Sequence, residues 1–232
     1  MDKKLNKQTI ISRLKSLQVT YRPNPDVVRE LSHINLLAVV GPTGAGKSTV
    51  TKQTGLPLVI GDTTRAPREG EVHGRDYNFR TDLNPLLEEI GRGEFVQFVI
   101  ERETELYGTK VTSFPGSGVC VMSIISSSIN RFKELGFASI TPVYIVPPSN
   151  SEWMRRIAAH HDKDLESRLM EAKESLTAAL HDPQYIFIIN DDLDKAVRAL
   201  REVASGNLDH AESSRARTSA ATLLEQLQKA IR

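Results

Sequence analysis

Eight consecutive residues, Gly41-Pro42-Thr43-Gly44-Ala45-Gly46-Lys47-Ser48, carry the spacing G-x-x-x-x-G-K-S. That spacing suits the binding of a polyphosphate. The glycines let the backbone turn tightly and point successive N–H groups inward, and a helix starting there adds its positive dipole end. Lys47 can reach the outer phosphates, and the Ser48 hydroxyl can hold Mg²⁺ as its protein ligand. The motif means little without its context, and without it the segment would be a glycine-rich link between strand and helix. Here an apolar run, Leu36-Leu37-Ala38-Val39-Val40, precedes it as a buried strand, and Thr49 to Gln53 can open a helix.

A second constellation is Thr63-Thr64-Arg65-Ala66-Pro67-Arg68-Glu69-Gly70-Glu71-Val72-His73-Gly74-Arg75-Asp76-Tyr77-Asn78-Phe79. Arg65 and Arg68 lie close enough along the chain to converge on one anion, and a planar guanidinium suits bidentate phosphate binding. Tyr77 and Tyr107 can add hydroxyl donors or stack on a base. Taken alone, the same residues also fit a solvated basic loop. Cys120 sits in the apolar run Gly118–Met122 and reads as a buried strand residue rather than a nucleophile. The six histidines lack metal-ligand spacing, and the adjacent pair His160-His161 reads as a surface pair rather than a zinc site.

The elements that must position these groups follow from periodicity. Residues 7–18 put Ile10, Ile11, Leu14 and Leu17 on one helical face, and Tyr21-Arg22-Pro23-Asn24-Pro25 ends that helix. Asp26 is expected to cap a second short helix containing Val27, Val28 and Leu31. The first core strand begins near Asn35. Further strands are expected at Leu58–Ile60, Phe95–Ile100, Val119–Ile124, Pro142–Val146 and Tyr185–Ile189. Helices are expected at Asn84–Gly91, Ser128–Leu135, Ser151–His160, Asp164–Leu180 and Leu193–Val203. Strands alternating with helices argue for an α/β fold with a parallel sheet and the phosphate loop at its carboxyl edge. A polar stretch, Ser205 to Ser214, leads to a terminal amphipathic helix with Leu223, Leu224, Leu227 and Ile231. The stripes of the two terminal helices can dock on the chain's own body or form a homodimer contact.

Composition sets the outer limits. The 232 residues suit one substantial domain with appendages, or two small ones. Hydrophobic residues at 39% permit an ordinary core, while a net charge of +1 gives no bulk case for a nucleic-acid or membrane partner. One cysteine excludes an internal disulfide framework. No apolar run approaches the ~20 residues that span a bilayer. A cytoplasmic protein is the default expectation, with the basic, acid-free stretch 3–22 leaving an organellar presequence as an alternative.

The chain resembles the guanylate kinases. Thr63–Phe79 matches that family's T-T-R-x-P-R-x-G-E-x-x-G-x-D-Y-x-F signature at every specified position. Gly93-Glu94-Phe95, Tyr107-Gly108-Thr109, Pro147-Pro148-Ser149, Arg168-Leu169 and Asn190-Asp191-Asp192-Leu193 resemble later landmarks. The resemblance covers roughly residues 35–204, leaving a helical extension at 1–34 and a polar linker with a helix at 205–232. It implies a P-loop NTPase fold of three layers around a parallel sheet, an acceptor-binding region near 61–110 and a lid near 155–168. It also implies transfer of the terminal phosphoryl group of ATP to GMP or dGMP with Mg²⁺. Gly41, Thr43, Gly44, Ala45, Gly46, Lys47, Ser48 and Thr49 would then hold ATP, with Asn190 beside the donor base and Ser48 on the metal. Arg65, Arg68, Tyr77 and Tyr107 would hold the acceptor phosphate, with Gln97, Thr109 and Ser123 completing the monophosphate site. Lys47, Arg156 and Arg168 would neutralise the migrating group.

Departures from the family pattern fall among the base-reading positions. Gly61 stands where the family usually has serine, and Gln97 where it usually has glutamate. Ser123 and Ile125 align with a usual Asp-x-Asp run, and His160 with a lid arginine. A carboxylate offers only acceptors, which suits the donor–donor edge of guanine; Gln97 offers one acceptor and one amide donor group, which also fits an acceptor–donor edge such as adenine's. The same reaction on adenine or a modified purine therefore stays open, as does a catalytically weak nucleotide-binding interaction module.

Overall fold

The computed structural model describes residues 5–101, 103–159 and 165–230. In chain order the elements are α1 (Lys7–Thr20), α2 (Pro25–Leu31), β1 (Ile34–Val40), α3 (Lys47–Gln53), β2 (Asp62–Thr63), β3 (Asn78–Phe79), α4 (Leu83–Gly91), β4 (Phe95–Glu101) and β5 (Glu105–Lys110). They continue with β6 (Gly118–Ser123), α5 (Ile129–Lys133), β7 (Ser139–Val146), α6 (Asn150–Ala159), α7 (Leu165–His181), β8 (Ile186–Ile189), α8 (Leu193–Ala204) and α9 (His210–Ala230). Two compact units result. One comprises the chain up to Asn35, Val59–Gly118 and Asn130–Ser139; the other comprises Leu36–Leu58, Val119–Ile129 and the chain from Ile140 on.

The second unit is built on a sheet of order β6-β1-β7-β8, the parallel core of an α/β fold. β7 and β8 pair parallel from Val143↔Ile186 to Val146↔Ile189. β1 is buried along nearly its whole length, which explains why its sequence is a continuous apolar run rather than an alternation. Leu37, Val39, Val50, Val121, Val143, Ile145 and Ile188 form a core closed on one side by Ala196, Val197 and Leu200 of α8. Asn190, which follows β8, donates its backbone N–H to Val146 at 2.8 Å and so continues the ladder past the strand end.

The first unit carries a smaller sheet of order β3-β2-β5-β4, with β4 and β5 antiparallel. Its core joins Ile10, Ile11, Leu14 and Tyr21 of the N-terminal segment to Leu83, Leu86 and Ile90 of α4 and to Phe95, Phe98 and Leu106. The apolar stripe of α1 is therefore covered by its own unit. Of the stripe expected on α9, Leu223 and Leu227 are buried together with Ala216 and Ala220, Leu224 is half-buried, and Ile231 lies outside the described residues.

Several expected boundaries move for local reasons. The second helix is capped by Asn24, whose side chain accepts the Asp26 N–H at 2.8 Å, and not by Asp26. Pro25 at the first helical position has no N–H to leave unpaired and its φ is preset for a helix, so the start shifts earlier. Leu58–Ile60 forms only a parallel bridge, Leu58↔Val121, rather than a strand. The helix expected at Ser128–Leu135 shortens to Ile129–Lys133 after a 3₁₀ turn at Ser126–Ser128. The stretch Ser205–Ser214 is helical from His210, because the Asp209 carboxylate accepts the Glu212 N–H at 2.9 Å and Ala216 and Ala220 extend the buried stripe upstream. Strands β2 and β3, of two residues each, and the more polar β5 were too short or too polar to show a period of two.

Candidate active site

In the second unit, β1 delivers the chain to a loop that runs from Gly41 to Gly46 and into α3. Gly46 caps the helix with φ +91°, a left-handed conformation that any side chain would strain. A Cβ there would also lie 2.2 Å from Asn190 Nδ2. That close approach has a purpose: Asn190 Nδ2 donates to the Ala45 carbonyl at 2.8 Å and pins the loop from the end of β8. From α6, Trp153 Nε1 donates to the Thr43 carbonyl at 2.7 Å. Lys47 Nζ donates to the carbonyls of Gly41 at 2.5 Å and Pro42 at 3.0 Å, folding the ammonium over the loop. Ser48 and Thr49 on the first turn of α3 are exposed.

The two arginines expected to neutralise the transferred group differ in setting. Arg156 on α6 donates through Nε to Glu152 at 2.8 Å, and its Nη2 lies 3.5 Å from the Asn190 carbonyl. Hydrogen bonds from Arg155 and Arg156 hold the Glu152 carboxyl down at about 2. Arg168 on α7 is buried at 3% exposure. Both arginines and the loop thus belong to one unit. His160, aligned with a family arginine, lies outside the described residues. Ser123 ends β6, half-buried, and Ile125 precedes the 3₁₀ turn.

In the first unit, β2 and β3 flank the arginine-rich loop. Arg65 makes a bidentate pair with Glu71, Nη1 at 2.9 Å and Nη2 at 3.0 Å. Its guanidinium lies 5.5 Å from the centre of the Tyr77 ring and 5.7 Å from that of Phe79. Tyr77 and Tyr107 meet edge to face at 6.0 Å. The predicted residues Arg65, Tyr77 and Tyr107 are therefore gathered into one cluster. Arg68 is anchored through its backbone, its N–H donating to Glu71 at 2.7 Å, while its side chain stays exposed. Burial alone would lift the Glu71 carboxyl; hydrogen bonds from Arg65 and the Arg68 N–H outweigh it and hold the pKa below the ordinary carboxylate range.

Gln97 and Thr109 are buried and face each other across β4 and β5. Gln97 Oε1 is buried without a hydrogen-bond partner from the described residues of the chain, so this acceptor is open to a water or to a ligand. The buried Asp62 was not picked out from the sequence. It accepts from Arg80 at 2.6 Å and from Asn78 at 2.9 Å, and Arg80 also reaches Glu89 at 2.9 Å. This network ties β2, β3 and α4 together. Its only signal was a high charge density, which a loop and a folded network share. Glu71 was visible inside the signature, but its pairing with Arg65 was not.

A glycine-rich phosphate loop between a strand of a parallel sheet and a helix, pinned from the end of β8, defines a P-loop α/β protein. Comparison with known proteins narrows the class. The family model described as guanylate kinase matches residues 33–206. The guanylate kinase of Sus scrofa is 30% identical over 190 residues, which is 75% of this chain and 93% of that protein. That of Deinococcus radiodurans is 34% identical over 182 residues, 72% of this chain and 73% of that protein. The crystal structure of guanylate kinase from Anaplasma phagocytophilum superposes with a TM-score of 0.56 at 22% identity, covering 76% of this chain and 88% of that one, a likeness of fold. The chain belongs to the guanylate kinase family, and as such is an ATP-dependent nucleoside monophosphate kinase. Among the described residues, no helix is long and apolar enough to cross a membrane.

Proposed function

We propose that this protein transfers the terminal phosphoryl group of ATP to the phosphate of GMP or dGMP, with Mg²⁺. The observation that carries the reading is the clustering of Arg65, Tyr77 and Tyr107 beside Glu71 in a segment that matches the family signature at every specified position. Such a cluster gives an acceptor phosphate a guanidinium and two phenols, while Arg68 adds a second cation at the rim. In the other unit the loop N–H groups and Lys47 would hold the donor phosphates, and Arg156 and Arg168 would offset charge on the transferred group. Lys47 would exchange its two loop carbonyls for phosphate oxygens, a stronger, charge-assisted pairing. Phosphoryl transfer needs this positioning and charge neutralisation more than a protein nucleophile.

The residues present fit Mg²⁺ of the kind shared with a substrate. The exposed Ser48 hydroxyl offers one oxygen, and among the described residues no group of three His, Cys, Asp or Glu could cage the ion. An ion that keeps most of its waters and takes phosphate oxygens needs no more. When bound, it supplies further neutralisation of the phosphate charge.

A second reading, an acceptor base other than guanine, draws on Gln97. Its buried Oε1 is one acceptor where the family's carboxylate offers two. One experiment separates the readings: ADP release with ATP and Mg²⁺ against a panel of ribo- and deoxynucleoside monophosphates, for the protein and for Gln97→Glu. Turnover confined to GMP and dGMP is expected and removes the altered-base reading. Turnover with AMP that Gln97→Glu shifts toward GMP would establish that reading instead. ATP binding with no turnover on any acceptor would make the protein an interaction module.

A further inference from the structure

β4, the strand that carries Gln97, lies at the edge of its sheet, and an edge strand leaves half its backbone groups unpaired. The end of α1 and the residue that caps it supply two of the missing partners. Gln18 Oε1 accepts the Ile100 N–H at 2.7 Å, and the Tyr21 hydroxyl donates to the Phe95 carbonyl at 2.6 Å. These bonds bracket Gln97 along the strand.

The Phe95 end is the one that sets direction. Phe95 pairs with Lys110 and Gln97 with Thr109, so Val96 is an extra residue and the strand bulges there. A bulge re-aims the side chain beside it, and a slip of one residue would turn that side chain to the opposite face. The bulge is held tightly from both sides. A Cβ on Gly108 would lie 2.9 Å from the Phe95 ring, so only glycine allows this approach. On the other side the Tyr21 ring meets Phe98 edge to face at 5.1 Å, and Arg131 lies 5.8 Å from its centre while donating to the Tyr21 carbonyl at 2.7 Å. A tyrosine hydroxyl already carries its proton at neutral pH, and burial pushes that of Tyr21 further up, to about 12, so the donor persists well into alkaline solution.

We propose that Tyr21 is a positioning residue for the acceptor base: its hydroxyl fixes the β4 bulge and thereby aims the Gln97 amide. Tyr21 precedes the 33–206 segment that matches the family model, so this chain's own N-terminal extension takes part in base recognition. The inference rests on Gln97 as the base reader.

The test is Tyr21→Phe, which keeps the ring and removes only the donor. At saturating ATP and Mg²⁺ the KM for GMP is expected to rise about 3- to 10-fold, the worth of one hydrogen bond. The ratio of GMP to AMP efficiencies is expected to shift with it, and the KM for ATP to stay constant. In a Gln97→Ala background the effect of Tyr21→Phe should shrink to within about twofold, since coupled residues are not additive. Gln18→Ala serves as control: it loosens the far end of the strand and should lower thermal stability without moving the base ratio. A Tyr21→Phe protein with a lower melting temperature but unchanged KM and ratio would make the hydroxyl merely structural. An effect that persists in full without Gln97 overturns the proposal while leaving Gln97 as reader. If Gln97→Ala itself changes neither KM nor ratio, the base-reader assignment fails and the proposal with it.

Discussion

Arg65 has both terminal nitrogens engaged within the chain, while its buried Nε has no hydrogen-bond partner among the described residues. Glu71 takes both of its terminal nitrogens, and the Ala66 carbonyl accepts from Nη1 at 2.6 Å. The side chain is only 9% exposed. A carboxylate partner can hold a guanidinium in place for an incoming phosphate, or compete with that phosphate for it. The bond from the Arg68 N–H to the same carboxylate favours holding, since Glu71 then organises the whole turn. Glu71→Gln keeps the shape but offers one acceptor oxygen in place of two and no charge. Charge-assisted bonds are worth ~1.5–3 kcal/mol, so the KM for the monophosphate should rise about tenfold or more, with the KM for ATP unchanged. Steady-state kinetics with each substrate varied in turn would decide it, and a fall in the acceptor KM would show that Glu71 competes.

At the scale of elements, the sequence is most legible where burial forces a pattern. β1 is a continuous apolar run because both faces are covered, and the loop after it must turn where Gly46 meets Asn190. The residues of the phosphate loop and of the arginine cluster could thus be named from spacing and resemblance. What escaped was the support. Short strands such as β2 carry no period, and the Asp62–Arg80–Glu89 network is a tertiary fact with no local signature. The terminal helices showed their stripes, but a stripe does not name what covers it. α1 packs with α4 and β4, and α9 with α7 and β8, each within its own unit. Leu14 is fully buried and Leu223 nearly so. Leu14→Ala and Leu223→Ala should therefore each cost ~2–5 kcal/mol in urea unfolding, the ordinary range for emptying a core site. Light scattering on both variants should give the mass of the parent protein. A variant that lost half its mass with little change in stability would assign the stripe to a homodimer instead.

The whole molecule carries a pH signature, because all five of its tyrosines have raised pKa values. Burial is the leading cause at each, pushing Tyr21, Tyr107 and Tyr185 to about 12. Burial also takes the Cys120 thiol to about 12. A folded-state pKa above the unfolded one means that the folded chain keeps protons the unfolded chain gives up. The associated stability is complete below the unfolded values, ~8.5 for cysteine and ~10 for tyrosine, and is lost as pH climbs toward the folded values. The depressed carboxyls of Glu71 and Glu152 act in the opposite sense, their contribution present above ~4.3 and lost as pH falls. Glu152 is too exposed for its share to be large. The thermal midpoint should accordingly stay level from about pH 5 to 8.5 and decline beyond it. Phenolate absorbance at 295 nm, followed against pH at 25 °C, should lag behind that of free tyrosine and then rise together with the loss of far-ultraviolet helix signal. Since the tyrosines lie in both units, a smooth titration centred near pH 10, with helix signal and thermal midpoint intact, would mean that these hydroxyls reach solvent and that neither core is closed around them.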